Sequence, residues 1–147
     1  MDQNCRNTYQ EFYSRQIGCL GIADQKKLHQ KTVSVVGVGG LGCHLLMTLS
    51  LYGFKEIRLI DGDQIAYHNL HRQPLFQTKD TGNYKTDIAK IFCENRNPHT
   101  KFINFNKHLS HNNTDDFLTG SDLLIDASDS KNCTDILNQY SCDKVLP

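Results

Sequence analysis

The sequence predicts an α/β protein: a Rossmann-like open sheet, mainly parallel, with helices on both faces and two N-terminal helices ahead of it. Three observations carry this. Short β-branched apolar runs alternate with segments of helical periodicity from residue 33 onward. A glycine-rich turn, Gly37-Val38-Gly39-Gly40-Leu41-Gly42, stands between the first such run and the first such helix. The second run ends in acids, Asp61-Gly62-Asp63. Strands alternating with helices require crossover connections, and right-handed crossovers place helices over both faces of a parallel sheet.

The elements follow in order. Residues 1–32 form an N-terminal helical segment in two pieces, Thr8 to about Ile17 and Asp24 to Lys31, with Asp24 as N-cap and Gly18 and Gly21 as breaks. Residues 33–147 form the sheet domain. Val33–Val36 is the first strand, after which Leu41, Leu45, Leu49 and Tyr52 recur at helical spacing until Gly53. Ile57–Ile60 is the second strand. Asn83 or Tyr84 opens a helix that carries Ile88, Ile91 and Phe92 on one face and ends at Asn97-Pro98. A strand at Lys101–Phe105, a short helix near Asp115–Leu118, a strand at Leu123–Ile125 and a helix at Lys131–Tyr140 complete the alternation. Lys144-Val145-Leu146-Pro147 reads as the start of a further strand, so the sheet is expected to have an uncovered edge.

A chain of 147 residues fits one domain. Its 16 basic and 16 acidic residues cancel, so no electrostatic footprint for nucleic acid or an anionic membrane surface exists. The longest apolar run, Leu45 to Leu51, is interrupted by Thr48 and Ser50, and the N-terminus is polar; neither a transmembrane helix nor a signal peptide is predicted. The six cysteines contain no Cys-x-x-Cys pair and no zinc-type spacing with histidine, which points to a reduced, cytoplasmic setting with no zinc site in this stretch. Cys43 and Cys93 fall on helix faces suited to buried, structural thiols.

The chemistry gathers around the glycine turn. Gly37, Gly39, Gly40 and Gly42 let the backbone approach a phosphate, and the helix that follows offers free N–H groups and a partial positive charge. Asp61, 19 residues past Gly42, is placed to accept ribose hydroxyls. This much also suits an NAD-dependent dehydrogenase. Asp63, Asn69, Arg72 and Gln73 then arrive within a dozen residues, and Lys85 stands at a helix start beyond Gly82. Two cations, an amide and acids suit a triphosphate better, because a leaving pyrophosphate must be neutralised by Arg, Lys and a hard cation such as Mg²⁺. No P-loop sequence is present. Asp129 ends the fourth strand, at the edge where parallel sheets receive ligands; it is placed to bind Mg²⁺ or, as the plainer alternative, to cap the helix near Lys131. His68 and His71 flank the Asn-x-x-Arg loop, but with no third ligand nearby they and His44 suit surface or supporting roles better than metal binding.

These residues resemble the adenylation domain of the ThiF/MoeB/HesA family, relatives of the ubiquitin-activating enzymes. The similarity runs from Tyr13-Ser14-Arg15-Gln16-Ile17 through the glycine turn, Leu59-Ile60-Asp61-Gly62-Asp63, Asn69-Leu70-His71-Arg72-Gln73 and Gly82-Asn83-Tyr84-Lys85, to Asn97-Pro98 and Asp126-Ala127-Ser128-Asp129. The resemblance implies ATP and Mg²⁺ as cofactors. Gly39 and Gly42 would line the phosphates, Asp61 would hold the ribose, Asn69, Arg72 and Lys85 would grip the phosphates, and Asp129 would hold Mg²⁺. It implies Arg15 as a finger reaching the ATP of a partner subunit, hence a homodimer or heterodimer. The implied reaction is adenylation of the C-terminal carboxylate of a ubiquitin-like sulfur carrier, with release of pyrophosphate. Family members carry further strands, often a zinc pair and sometimes a catalytic cysteine beyond the matched region; Cys133 and Cys142 do not take their place, so no residue here stands behind thioester or persulfide transfer. Two other classes remain open: a non-catalytic nucleotide-binding or partner-binding module of a hetero-complex, and the dehydrogenase.

Overall fold

The computed structural model describes the backbone of residues 3–146 and the side chains of residues 8–146. Four parallel strands, β1 (Thr32–Val36), β2 (Glu56–Ile60), β3 (Lys101–Phe105) and β4 (Leu123–Asp126), lie in the order β3-β2-β1-β4. Val35 pairs with Leu59 on one side and Ile125 on the other, so the carboxyl ends of β1, β2 and β4 finish together. The order reverses at β1, which makes its carboxyl end the topological switch point.

Strand periodicity divides the core. Val33, Val35, Ile57 and Leu59 point to one face, where Cys43 and Leu46 of α4 (Gly40–Leu49) and Ala89 and Cys93 of α5 (Lys85–Arg96) cover them. Val36 and Ile60 point to the other, under α6 (Thr114–Leu118) and α7 (Lys131–Lys144), which contribute Phe117, Leu118, Cys133, Ile136, Leu137 and Tyr140. β1 is buried on both faces and is apolar apart from Thr32 and Ser34; the Ser34 hydroxyl bonds that of Ser121 at 2.7 Å.

Five expectations need correction. The first predicted helix is two, α1 (Gln3–Phe12) and α2 (Ser14–Leu20), separated at Tyr13, whose ring is buried and whose hydroxyl accepts from Asn97 Nδ2 at 2.6 Å. The next, α3, spans Ile22–Leu28 rather than starting at Asp24; its N-cap is Gly21, and Asp24 lies in its first turn. Leu41 and Tyr52 are 59% and 42% exposed, because α4 packs through Gly42, Cys43 and Leu46 instead; glycine and cysteine let the helix approach the sheet closely where leucine would hold it off. Ile91 of α5 is likewise exposed. Finally, no strand begins at Lys144. The final helix carries on through Lys144 and stops at Val145 in the left-handed conformation, while Leu146 packs back on the α7 cluster; Pro147 lies outside the described residues. No helix among the described residues is long and apolar enough to cross a membrane.

The N-terminal helices dock at the amino edge of the sheet. Gln16 Nε2 and Gln25 Nε2 donate to the Tyr52 carbonyl at 2.8 and 3.1 Å, and His29 Nδ1 lies 3.3 Å from the Gly53 carbonyl, both in the turn that leads into β2. Tyr9, Phe12 and Tyr13 pack against His99, just before β3.

Candidate nucleotide site

At the carboxyl edge the chain leaves β1 through Gly37, whose φ of +97° lies in the left-handed region and whose missing Cβ would sit 2.6 Å from the Ala127 backbone. A Cβ on Gly42 would collide with the Gly37 carbonyl oxygen. The turn is therefore wedged between β4 and the first turn of α4, and only glycine fits at either position. Asp61, at the end of β2, fixes it from the third side: Oδ2 accepts from the Val38 N–H at 2.7 Å and Oδ1 from the Asp63 N–H at 2.8 Å. The sequence marks Asp61 as a sugar ligand; in the structure it clamps the glycine turn and lines the cleft.

Around this turn lies an open cleft of about 600 Å³. Gly37, Gly39 and Gly40 form its floor beside Asp61 and Asp63. Arg72 and Gln73 enter from the loop after β2, and Asp129 from the loop after β4. The first N–H groups of α4 have no acceptor within the helix, so the floor presents donors as well as the positive end of the helix dipole.

Three of the remaining predicted residues support this surface from behind. Gly42 is the buried packing position described above. Asn69 is buried; its Oδ1 accepts from the Ala66 N–H at 2.9 Å, and its carbonyl accepts from the N–H groups of Arg72 and Gln73, at 3.1 Å each. It builds the turn that delivers Arg72 and Gln73. Lys85 is 6% exposed, does not line the cleft, and is paired with Asp63 Oδ2 at 2.6 Å. Arg15 is elsewhere altogether: it is exposed on α2, next to Gln16, which docks at the amino edge.

The cleft residues differ in how far they are committed. Arg72 Nη1 is held by the His68 carbonyl and His71 Nε2, both at 3.1 Å, which orients the guanidinium and leaves its other donors open. Gln73 is 2% exposed, and its Oε1 has no hydrogen-bond partner. Asp129 is exposed, and among the described residues its carboxylate makes no hydrogen bond or ion pair; α7 is capped by Ser130, which accepts from the Cys133 N–H, so Asp129 is free of that duty. The strand-end acid is Asp126. Burial works to raise its pKa, but donors from Thr134 and Ser128 outweigh it and hold the carboxyl below its ordinary range.

Among the cleft residues that the sequence did not mark is a histidine. His108, after β3, lies with its ring over Gly62, and its Nε2 is 3.6 Å from Asp63 Oδ1. The signal was the glycine between the two acids, which leaves room for a ring but does not say whose. The thiols behave as expected. Burial pushes Cys43 up to about 11 and Cys93 up to about 12, so neither is a thiolate near neutrality.

The fold and the cleft are those of the doubly wound class, whose ligands bind at the carboxyl ends of the strands at a switch point. A model of the ThiF family matches residues 13–147, and the chain belongs to the ThiF family. It is 38% identical over 120 residues to the adenylyltransferase and sulfurtransferase uba4 of Aspergillus niger, covering 80% of this chain and 25% of that protein. The corresponding protein of Debaryomyces hansenii is 36% identical over 127 residues, covering 85% and 28%. The chain thus spans roughly a quarter of the curated relatives it matches. Among solved structures, MccB of E. coli with ATP is 29% identical with a TM-score of 0.84, covering 92% of this chain and 43% of that one. The E. coli tRNA N6-threonylcarbamoyladenosine dehydratase TcdA in complex with ATP is 22% identical with a TM-score of 0.89, covering 95% and 58%, a likeness of fold.

Proposed function

We propose that the cleft binds ATP with Mg²⁺ and that the protein adenylates the C-terminal carboxylate of a ubiquitin-like sulfur carrier. The observation that carries this reading is the set of open polar groups around the glycine turn in a ThiF-family chain: the buried, unpartnered Gln73 Oε1, the Arg72 guanidinium and the uncommitted Asp129 carboxylate. The relatives named as adenylyltransferases and the ATP complex of MccB support it.

A single carboxylate with no protein partner fits Mg²⁺, which keeps several waters and is shared with substrate phosphates. Asp129 would hold it, and the ion would supply charge neutralisation at the phosphates. The chain's own groups do the rest. Gly39, Gly40 and the α4 N-terminus receive the phosphates, Asp61 the sugar, and Arg72 offsets the repulsion between an incoming carboxylate and the α-phosphate. A carboxylate oxygen then bonds to the α-phosphorus as the bond to the bridging oxygen breaks, and pyrophosphate leaves with that electron pair. Orientation and charge suffice, so no covalent nucleophile is required, in keeping with the raised pKa values of Cys43 and Cys93. Lys85, held on Asp63, keeps further N–H donors with which to grip the phosphates. Arg15, exposed at the opposite edge, would act on the cleft of another subunit in a dimer. A cytoplasmic setting is part of this reading, supported by the free thiols Cys19, Cys43, Cys93, Cys133 and Cys142.

ATP–pyrophosphate exchange that depends on a carrier with a C-terminal glycine tests the proposal. Exchange is expected to fall at least tenfold in Arg72→Ala and Asp129→Ala; undiminished exchange in both would overturn the assigned roles. The pairing of the buried Lys85 with Asp63 favours one second reading: a nucleotide-binding or partner-binding module of a hetero-complex, which needs another subunit for chemistry. ATP binding without exchange, restored by a partner, would mark it. Tighter binding of NAD than of ATP in parallel titrations would instead select the dehydrogenase.

A further inference from the structure

Arg72 lines the cleft, and among the described residues no carboxylate pairs with it, so its charge is left for an anion. Its backbone N–H donates to the Asn69 carbonyl at 3.1 Å. Its Cγ and Cδ lie 3.9 and 4.0 Å from where a Cβ on Gly40 would stand, so the stem crosses the glycine turn. The head is held by its own loop: Nη1 donates to the His68 carbonyl and to His71 Nε2, both at 3.1 Å.

A guanidinium donates and never accepts, so His71 Nε2 is the acceptor in the second contact and the ring carries its proton on Nδ1. That is the reverse of the tautomer that free histidine favours. With one proton on His68 and one on His71, Nη1 is spent, which closes the edge of the fork between Nη1 and Nη2. The other edge stays open. There the Nε and Nη2 protons run parallel, the arrangement that takes a phosphate bidentately. Arg72 is exposed, and a long side chain held in advance loses less freedom when it binds.

We propose that His71 is a positioning residue for Arg72: it accepts from Nη1 and, with the His68 carbonyl, presents the Nε and Nη2 edge of the guanidinium to the nucleotide phosphates. This role rests on the nucleotide reading of the cleft. His71 acts through Arg72 and touches no substrate itself.

The contact is read first without any ligand. In the isotope-labelled full chain at a pH of about 8, above the ordinary imidazole range, proton–nitrogen correlation spectra should show His71 protonated on Nδ1, and Arg72→Ala should return the proton to Nε2. Titrations with Mg-ATP and with adenosine then read the consequence. His71→Leu is expected to weaken Mg-ATP about three- to tenfold, the share of one ordered arginine, and to leave adenosine binding unchanged. The amide oxygen in His71→Gln reaches the place of Nε2 and should restore Mg-ATP binding, whereas that in His71→Asn reaches only the place of Nδ1 and should not. A His71 protonated on Nε2 in the free chain overturns the contact. Undiminished Mg-ATP binding in His71→Leu, an equal loss of adenosine binding, or no rescue in His71→Gln overturns the positioning role and leaves the nucleotide reading standing. A parent chain that binds no Mg-ATP overturns both.

Discussion

The two edges of the sheet are built from similar residues to opposite ends. At the amino edge, Asn97 is completely buried and saturated: Nδ2 is 2.6 Å from both the Tyr13 hydroxyl and the Ser50 carbonyl, while Oδ1 accepts from the His99 N–H at 2.9 Å. At the carboxyl edge, Gln73 is almost as buried but leaves Oε1 unpaired, and Asp129 and much of Arg72 face an open cleft. An unpaired buried polar atom costs about 1–3 kcal/mol; Gln25 Oε1 bears that cost at the amino edge and Gln73 Oε1 at the carboxyl edge, but of the two Gln73 lines the open cleft. The difference teaches where to look for a ligand: at the edge whose open polar groups gather around a cleft.

The sharpest break in that comparison is steric. Gly42→Val drives a side chain into the Gly37 carbonyl and forces the turn away from Ala127. Nucleotide binding should be lost, with a destabilisation on the order of 3 kcal/mol, measured by ATP titration and urea unfolding. Asn97→Ala is the counterpart at the amino edge. Removing it strands the Tyr13 hydroxyl and the Ser50 carbonyl, and should cost about 2–3 kcal/mol in urea while leaving ATP affinity within a factor of about two. A large loss of ATP affinity in Asn97→Ala would show that the edges are not separable.

The parts of each edge that were legible in the sequence are those set by local rules. Gly37 and Gly42 announce a backbone approach, the β-branched runs announce β1 and β2, and Asn97-Pro98 ends α5 where expected. What was not legible depends on which neighbour comes close. Of the Leu41, Leu45, Leu49, Tyr52 stripe, Leu45 and Leu49 pack at the margin of the core, but Leu41 is exposed because α4 turns its glycine and cysteine face to the sheet where the turn packs against Ala127. The division of labour at the cleft was hidden for the same reason. Asn69 and Lys85 have the chemistry of phosphate ligands; that Asn69 also braces the turn at Ala66 through Oδ1 and that Lys85 also holds Asp63 are tertiary facts. His108 lies 45 residues from Asp63, beyond the reach of any spacing argument.

A pair of glutamines sharpens the comparison further. Gln25 and Gln73 are the two residues, among those described, with an unpaired buried Oε1. Gln25 also donates through Nε2 to the Tyr9 hydroxyl at 3.2 Å and the Tyr52 carbonyl at 3.1 Å and lines no cleft, whereas Gln73 lines one. Gln73→Leu removes a buried acceptor at no loss of an Oε1 bond, so stability without nucleotide should hold or rise by about 1 kcal/mol, while ATP affinity falls about tenfold. Gln25→Leu should lower stability by about 1 kcal/mol and leave ATP affinity alone. Matching responses from both variants would remove the distinction between the edges.

The smallest expected effect concerns acid. His99 packs edge-on against Tyr9 and Phe12, with ring centroids 5.4 and 5.3 Å away, and burial, aided by the charge of nearby His29, lowers its pKa. A histidine with a depressed folded pKa is neutral in the docked state, so the undocked chain binds more protons once pH falls below the ordinary value of about 6.5. The stability it contributes is therefore present above that pH and is lost as pH falls through the lower, folded value. Between pH of about 7.5 and 5.5, amide exchange in α1–α3 should accelerate by a few-fold more than in α4 and β1, and His99→Leu should remove the excess. Protons would then loosen the amino edge through an imidazole that packs within its aromatic cluster.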